Sequence, residues 1–138
     1  MIRLDLRDVF RWLIVISTLA YLVLFFTPAI PLQLSAEVLV FRAQSGYGAT
    51  LPAVAWFPYA FLVAFLIANA GLFFFQIWAR TVFLALYVLV LILRFVQGIT
   101  VQLPLENFLG EVVALADGAI LALSFSSPLT SYFRRQQA

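Results

Sequence analysis

Residues 81–101 read TVFLALYVLVLILRFVQGITV and contain one charged side chain, Arg94. An α-helix of this length is about 30 Å long, which matches the hydrocarbon core of a bilayer. A membrane-spanning strand is excluded, because such strands are about ten residues long and alternate between apolar and polar positions. The stretch therefore predicts a transmembrane helix.

Three further apolar runs of similar length accompany it. The four predicted spans are about 12–30, 54–76, 81–101 and 107–126. We expect the first to be a retained helix, since its apolar run exceeds that of a signal peptide. The 138-residue chain is 65% hydrophobic and 10% charged, against about 45–50% and 25% in soluble domains. The sequence predicts an all-α membrane protein, with a single membrane domain over 1–138 folded as a four-transmembrane-helix bundle.

The arginines predict the orientation of this bundle. Four crossings place six of them on one side: Arg3, Arg7, Arg11, Arg80, Arg134 and Arg135. The other side has only Arg42. Trp12 and Trp78 would mark the inner surface of the membrane, and Trp56 and Tyr59 the outer one. The positive-inside rule then predicts a multipass protein of the inner (cytoplasmic) membrane with both termini in the cytoplasm.

The outer connection between the first two helices, residues 31–53, is long enough to be semi-ordered. Ser35 and Glu37 precede the apolar run 38–41, a pattern typical of a short capped helix. A loop lying against lipid headgroups is the alternative. The sequence leaves both open.

Small residues indicate where helices pack. The fourth predicted helix repeats them every four positions, as Gly110, Ala114, Gly118 and Ala122. Such a stripe lets another helix approach closely. The second helix has a small face made of Ala64, Ala68 and Gly71. Beside it, Asn69 is expected to form a hydrogen bond across helices.

Polar side chains within the spans form a predicted intramembrane cluster. Its members are Arg94, Glu111, Asp117, Gln97 and Tyr87. An unpaired charge at mid-membrane is costly, so we expect Arg94 to bond at least one of the two carboxylates. The cluster is interpreted either as part of an ion, proton or polar-solute pathway, or as a structural clasp between the third and fourth helices.

The residue inventory excludes most chemistry. The chain has no His and no Cys, which removes Ser/His/Asp and Cys/His catalysis, zinc sites and haem ligation. We therefore predict no enzyme activity, no metal and no cofactor. A net charge of +2 is too small to indicate nucleic acid as a partner.

The end of the chain suggests a family. The four-helix layout, the N-terminal arginines and the sequence DGAILAL at 117–123 before SPL at 127–129 resemble small uncharacterised inner-membrane proteins of Gram-negative bacteria. The resemblance covers about the last third of the chain. Some proteins of this kind are immunity partners of membrane-active toxins, so the resemblance implies that role.

Two functions follow as hypotheses. The first is a non-catalytic accessory or immunity-type partner of a larger membrane protein or toxin, acting through protein contacts and surrounded by membrane lipid. The second is a homo-oligomeric transporter or channel subunit that uses Arg94, Asp117 and Glu111.

Overall fold

The structure is a computed structural model that describes residues 5–27, 35–43, 56–98, 100–126, 129–130 and 132–133. Five helices are defined within these residues: α1 (Leu6–Phe26), α2 (Ala36–Ala43), α3 (Phe57–Phe73), α4 (Ile77–Val96) and α5 (Pro104–Phe125). No strand occurs in these ranges. The all-helical fold expected from the sequence is confirmed.

The helices agree with a membrane location. Three of them, α1, α4 and α5, are long and apolar enough to cross a bilayer. The fourth apolar helix, α3, has 17 residues and is somewhat shorter. Each of the four overlaps one predicted span, although the ends differ.

The first helix begins earlier than its predicted span, at Leu6 rather than near residue 12. Asp5 is the reason, because its side chain accepts a hydrogen bond from the Arg7 backbone N–H at 3.3 Å. Asp8 in the first turn also interacts favourably with the helix dipole. Arg7 and Arg11 therefore belong to the helix instead of preceding it.

The helix α4 ends at Val96, whereas the predicted span ran to 101. The Gln97 N–H still donates to the Leu93 carbonyl at 3.0 Å, and Gly98 then adopts a φ of 73°. A left-handed glycine after the last turn is a common helix stop. Arg94 consequently lies in the last turn of α4. The predicted span would have placed it about two turns before the end of the helix.

A tight turn joins α3 to α4. The Gln76 N–H donates to the Gly71 carbonyl at 2.8 Å and the Phe75 N–H donates to the Leu72 carbonyl at 2.9 Å, which is a Schellman motif. A Cβ added at Gly71 would lie 2.6 Å from the Ala79 Cβ. Glycine at 71 therefore allows the two helices to pack closely.

The helix α1 occupies the centre of the packing. It makes its most extensive contacts with α5 and smaller ones with α3, which pairs with α4. The contact between α4 and α5 is slight. The clasp predicted between the third and fourth spans would need α4 and α5 to be close neighbours, whereas the main neighbour of α5 is α1.

The core is continued by the C-terminal segment. Phe10 of α1 and Ile120 of α5 are fully buried, and so are Leu129 and Phe133 beyond the end of α5. The Phe133 ring lies 6.2 Å from that of Phe10 and 5.3 Å from that of Phe75. The segment thus closes the end of the bundle at which α1 begins.

The short helix α2 lies where Ser35 and Glu37 indicated one. The remainder of the 31–53 connection lies outside the described residues, and so do Arg134 and Arg135.

Candidate functional site

A groove separates α4 from α5 and contains a cavity of about 260 Å³. We call it the α4–α5 groove. It is lined by Tyr87, Leu91 and Arg94 of α4 and by Gly110, Ala114 and Asp117 of α5, with rings from α1 and α3 behind them. Because Leu91 and Arg94 are exposed, the groove is open to its surroundings.

The deepest polar group of the groove is Asp117. Its side chain is only 6% exposed, and it accepts a hydrogen bond from the Ser17 hydroxyl at 2.5 Å. Ser17 is itself completely buried. The bond joins α1 to α5 and provides the buried carboxylate with a donor, which lowers the cost of burying it.

Sequence reasoning assigned no role to Ser17, since a serine in a helix can satisfy its own backbone. A signal was present nevertheless. Phe10, Ile14 and Ser17 recur at helical spacing and all three are buried. The spacing places Ser17 on the buried face of α1.

The predicted ion pair of Arg94 is not formed. Asp117 binds Ser17 instead, and Glu111 accepts a hydrogen bond from the Asn107 side chain at 3.3 Å. Arg94 makes no hydrogen bond or ion pair within the described part of the chain. The reason is geometric, because α4 ends early and α5 packs on α1. A clasp between α4 and α5 is therefore absent among these residues.

The remaining members of the predicted cluster divide into two groups. Tyr87 lines the groove together with Arg94 and Asp117. Gln97 and Glu111 are exposed and do not line it. The structure thus brings together three of the five candidates.

Sequence reasoning also missed Glu106, which is buried at the start of α5. Its carboxylate accepts a hydrogen bond from the Leu103 N–H at 2.9 Å. A proline followed two residues later by a glutamate was the available signal for this helix start.

Among the described residues, no helix packs closely against the glycines of the small-residue stripe of α5. A Cβ added at Gly110 or at Gly118 would meet nothing within 4 Å, and Ala122 is exposed. Two members, Gly110 and Ala114, line the groove. The close helix contact of the described residues is instead at Gly71.

The expected interhelical hydrogen bond of Asn69 is also absent. Its side-chain amide nitrogen donates to the Phe65 carbonyl of its own helix at 3.1 Å. Its Oδ1 is buried and has no partner among the described residues. Ala68 and Gly71 of the predicted small face are buried as the sequence indicated, and Ala64 is half-buried.

The groove suits an apolar occupant that carries an acidic group. Its wall is aliphatic and aromatic, its small residues allow close approach, and Arg94 supplies a cation at one end. Within the described ranges no group of three metal-ligating side chains occurs.

Comparison with protein-family models, curated proteins and solved structures found no match.

Proposed function

We propose that this chain is a small, non-catalytic, multipass protein of the inner membrane that binds a transmembrane helix of a larger membrane protein in the α4–α5 groove. It acts as an accessory subunit, or as an immunity partner where the larger protein is a membrane-active toxin. One observation supports this most strongly. Arg94 and the small residues Gly110 and Ala114 line the same groove, and no helix of the described chain fills it.

A helix fits this groove better than a lipid chain alone. Association of helices in a bilayer depends on close van der Waals packing, and glycine and alanine permit that packing. Lipid tails could cover the apolar wall, but they lack the fixed backbone that packs closely against Gly110 and Ala114. A carboxylate on an incoming helix would in addition pair with Arg94.

The cost of leaving Arg94 unpaired supports a charged partner. A guanidinium at the centre of a membrane helix costs about 2.5–3.5 kcal/mol on insertion scales, and less towards the helix end. Because Arg94 lies in the last turn of α4, we expect the partner carboxylate close to one membrane surface. The partner helix is thus expected to carry small residues opposite Gly110 and Ala114, with an Asp or Glu level with Arg94.

The arginine distribution supports the inner-membrane orientation. Arg7 and Arg11 lie in the first turns of α1, and Arg80 lies in the first turn of α4, so the bundle carries these cations at one end. For an end of the bundle that carries these cations, the positive-inside rule predicts a cytoplasmic location. Arg94 and its partner carboxylate would then lie near the outer surface.

Co-purification tests the proposal. The tagged chain is extracted from its native membrane in mild detergent, and mass spectrometry quantifies what accompanies it. Gly110→Leu adds a side chain inside the groove, and Gly118→Leu adds the same side chain on the same helix outside it. Neither Cβ meets a neighbour within 4 Å, so both variants are expected to fold.

We expect a stoichiometric foreign membrane protein with the wild-type chain and with Gly118→Leu, and roughly tenfold less of it with Gly110→Leu. Equal recovery with both variants would contradict the proposal. Recovery of a homo-oligomer alone would also contradict it, and would favour a homo-oligomeric transporter in which Arg94 and Asp117 line the path.

A further inference from the structure

The end of the bundle opposite Arg94 contains a cluster of guanidinium groups on aromatic rings. The Arg7 Cζ lies 4.8 Å from the centre of the Tyr132 ring, and the Arg11 Cζ lies 5.1 Å from that of Phe73. Arg80 lies next to them, with its Cζ 4.4 Å from the centre of the Phe125 ring. Elements far apart in sequence thus bring these cations together.

Phe75 is the centre of this arrangement. Its ring lies 5.8 Å from the Arg7 Cζ and 5.5 Å from the Arg11 Cζ. Its backbone has a φ of 56°, which is costly for a bulky side chain. The Schellman motif at the end of α3 imposes this conformation. It holds the Phe75 ring, 5% exposed, beneath both guanidinium groups.

Arg7 and Arg11 have unused hydrogen-bond donors. The Nε atom of each is buried and lacks a partner among the described residues. The neighbouring carboxylates do not supply one, because Asp5 and Asp8 are exposed and the Asp5 side chain accepts from the backbone of Arg7. A donor shielded in this way cannot reach a headgroup, but both side chains are only half-buried and their terminal guanidinium N–H groups form no hydrogen bond with a described residue. An anionic acceptor would bind those terminal groups.

We propose that Arg7 and Arg11 bind the phosphate of an anionic phospholipid headgroup above the Phe75 and Tyr132 rings. The guanidinium fork matches a phosphate through two parallel hydrogen bonds. Basic pockets between transmembrane helices bind anionic headgroups in this manner. This site is independent of the α4–α5 groove.

The depth of the cluster agrees with a headgroup. Trp12 follows Arg11 and is 63% exposed, and Trp78 lies two residues before Arg80 and is 47% exposed. Exposed tryptophans of membrane proteins concentrate at the level of the headgroups. The two guanidinium groups therefore lie where lipid phosphates occur.

Native mass spectrometry of the full chain in detergent tests this inference. Phosphatidylglycerol, phosphatidylcholine and inorganic phosphate are titrated separately. The test variant is Arg7→Gln combined with Arg11→Gln. The control, Arg42→Gln, removes one positive charge elsewhere in the sequence.

We expect wild type and Arg42→Gln to bind phosphatidylglycerol at least about tenfold more tightly than phosphatidylcholine, and the double variant to lose that preference. If the double variant does not fold, Arg11→Gln alone is expected to lower the affinity for phosphatidylglycerol roughly tenfold. An unchanged preference in the arginine variants, or an equal loss in Arg42→Gln, would overturn the inference. Displacement of the lipid by inorganic phosphate at equal concentration would assign the site to free phosphate and overturn it as well.

Discussion

The hydrogen bond between Ser17 and Asp117 joins the two helices that pack most extensively, α1 and α5. Both side chains are buried, with exposures of 0% and 6%. A buried carboxylate without a donor is strongly destabilising in an apolar interior. We therefore regard this bond as the main polar determinant of how α5 is placed on α1.

Ser17→Ala tests this assignment. The change removes the donor and leaves the carboxylate buried, so we expect the free energy of unfolding to fall by about 1–3 kcal/mol. Thr18→Ala is the matched control, because it removes the adjacent hydroxyl, for which no hydrogen bond is found among the described residues. Denaturant unfolding of the purified protein in detergent, followed by circular dichroism, measures both. Equal losses in the two variants would show that the bond contributes nothing specific.

At this scale the sequence identified the polar residues but not their partners. Asp117, Arg94 and Tyr87 were predicted to be close, and they line one groove. Ser17, the partner of Asp117, was missed because the two residues are 100 positions apart in sequence. A hydrogen bond between such distant residues depends on which helices are adjacent. The depth of a residue along its span does not reveal which helices are adjacent. Chain order indicated α4 as the helix that contacts Asp117, whereas α5 packs mainly on α1.

Individual helices were predictable in number and position, and their ends were less so. The apolar run at 81–101 includes residues beyond the stop at Gly98, because hydropathy measures how apolar a segment is and not where its hydrogen bonds end. The Asp5 cap and the Gly98 stop could both be predicted from local sequence. The turn at Phe75 could not, since a phenylalanine with positive φ is uncommon.

The hairpin of α3 and α4 depends on Gly71. Gly71→Ala places a Cβ 2.6 Å from that of Ala79, so the helices must separate. We expect a loss of about 1–3 kcal/mol in the free energy of unfolding, as for other overpacked sites.

Gly118→Ala is the control for that change. Its new Cβ meets nothing within 4 Å, and alanine is the better helix former by about 1 kcal/mol. Unfolding in detergent should show Gly118→Ala as neutral or slightly stabilising. The close-packing account is wrong if Gly71→Ala is equally harmless.

The whole molecule is unevenly packed. At the end where α1 begins, Phe10, Phe75, Phe133 and Leu129 form a dense core beneath the arginines. At the other end, α4 has no buried side chain after Phe83. The closed end holds the chain together, and the open end leaves the α4–α5 groove available to a partner.

Composition was sufficient to predict a helical membrane protein, because 65% hydrophobic residues in long runs admit little else. It was not sufficient to predict the groove, which results from α5 turning away from α4. Nor did it place Leu129 and Phe133 in the core, although their spacing suits a helical turn. The packing of a short tail depends on space that only the assembled bundle defines.

Site-specific photo-crosslinking in the native membrane tests the docking groove most directly. A photoreactive phenylalanine analogue replaces Leu91, which lines the groove, or Leu115 of α5, which is exposed and does not line it. We expect a single crosslinked foreign membrane protein from position 91, and only lipid adducts from position 115. In the crosslinked peptide the partner should contribute a transmembrane helix with an acidic residue. A helix-docking groove between α4 and α5 would be contradicted if both positions gave only lipid adducts. It would also be contradicted if both positions crosslinked the same protein.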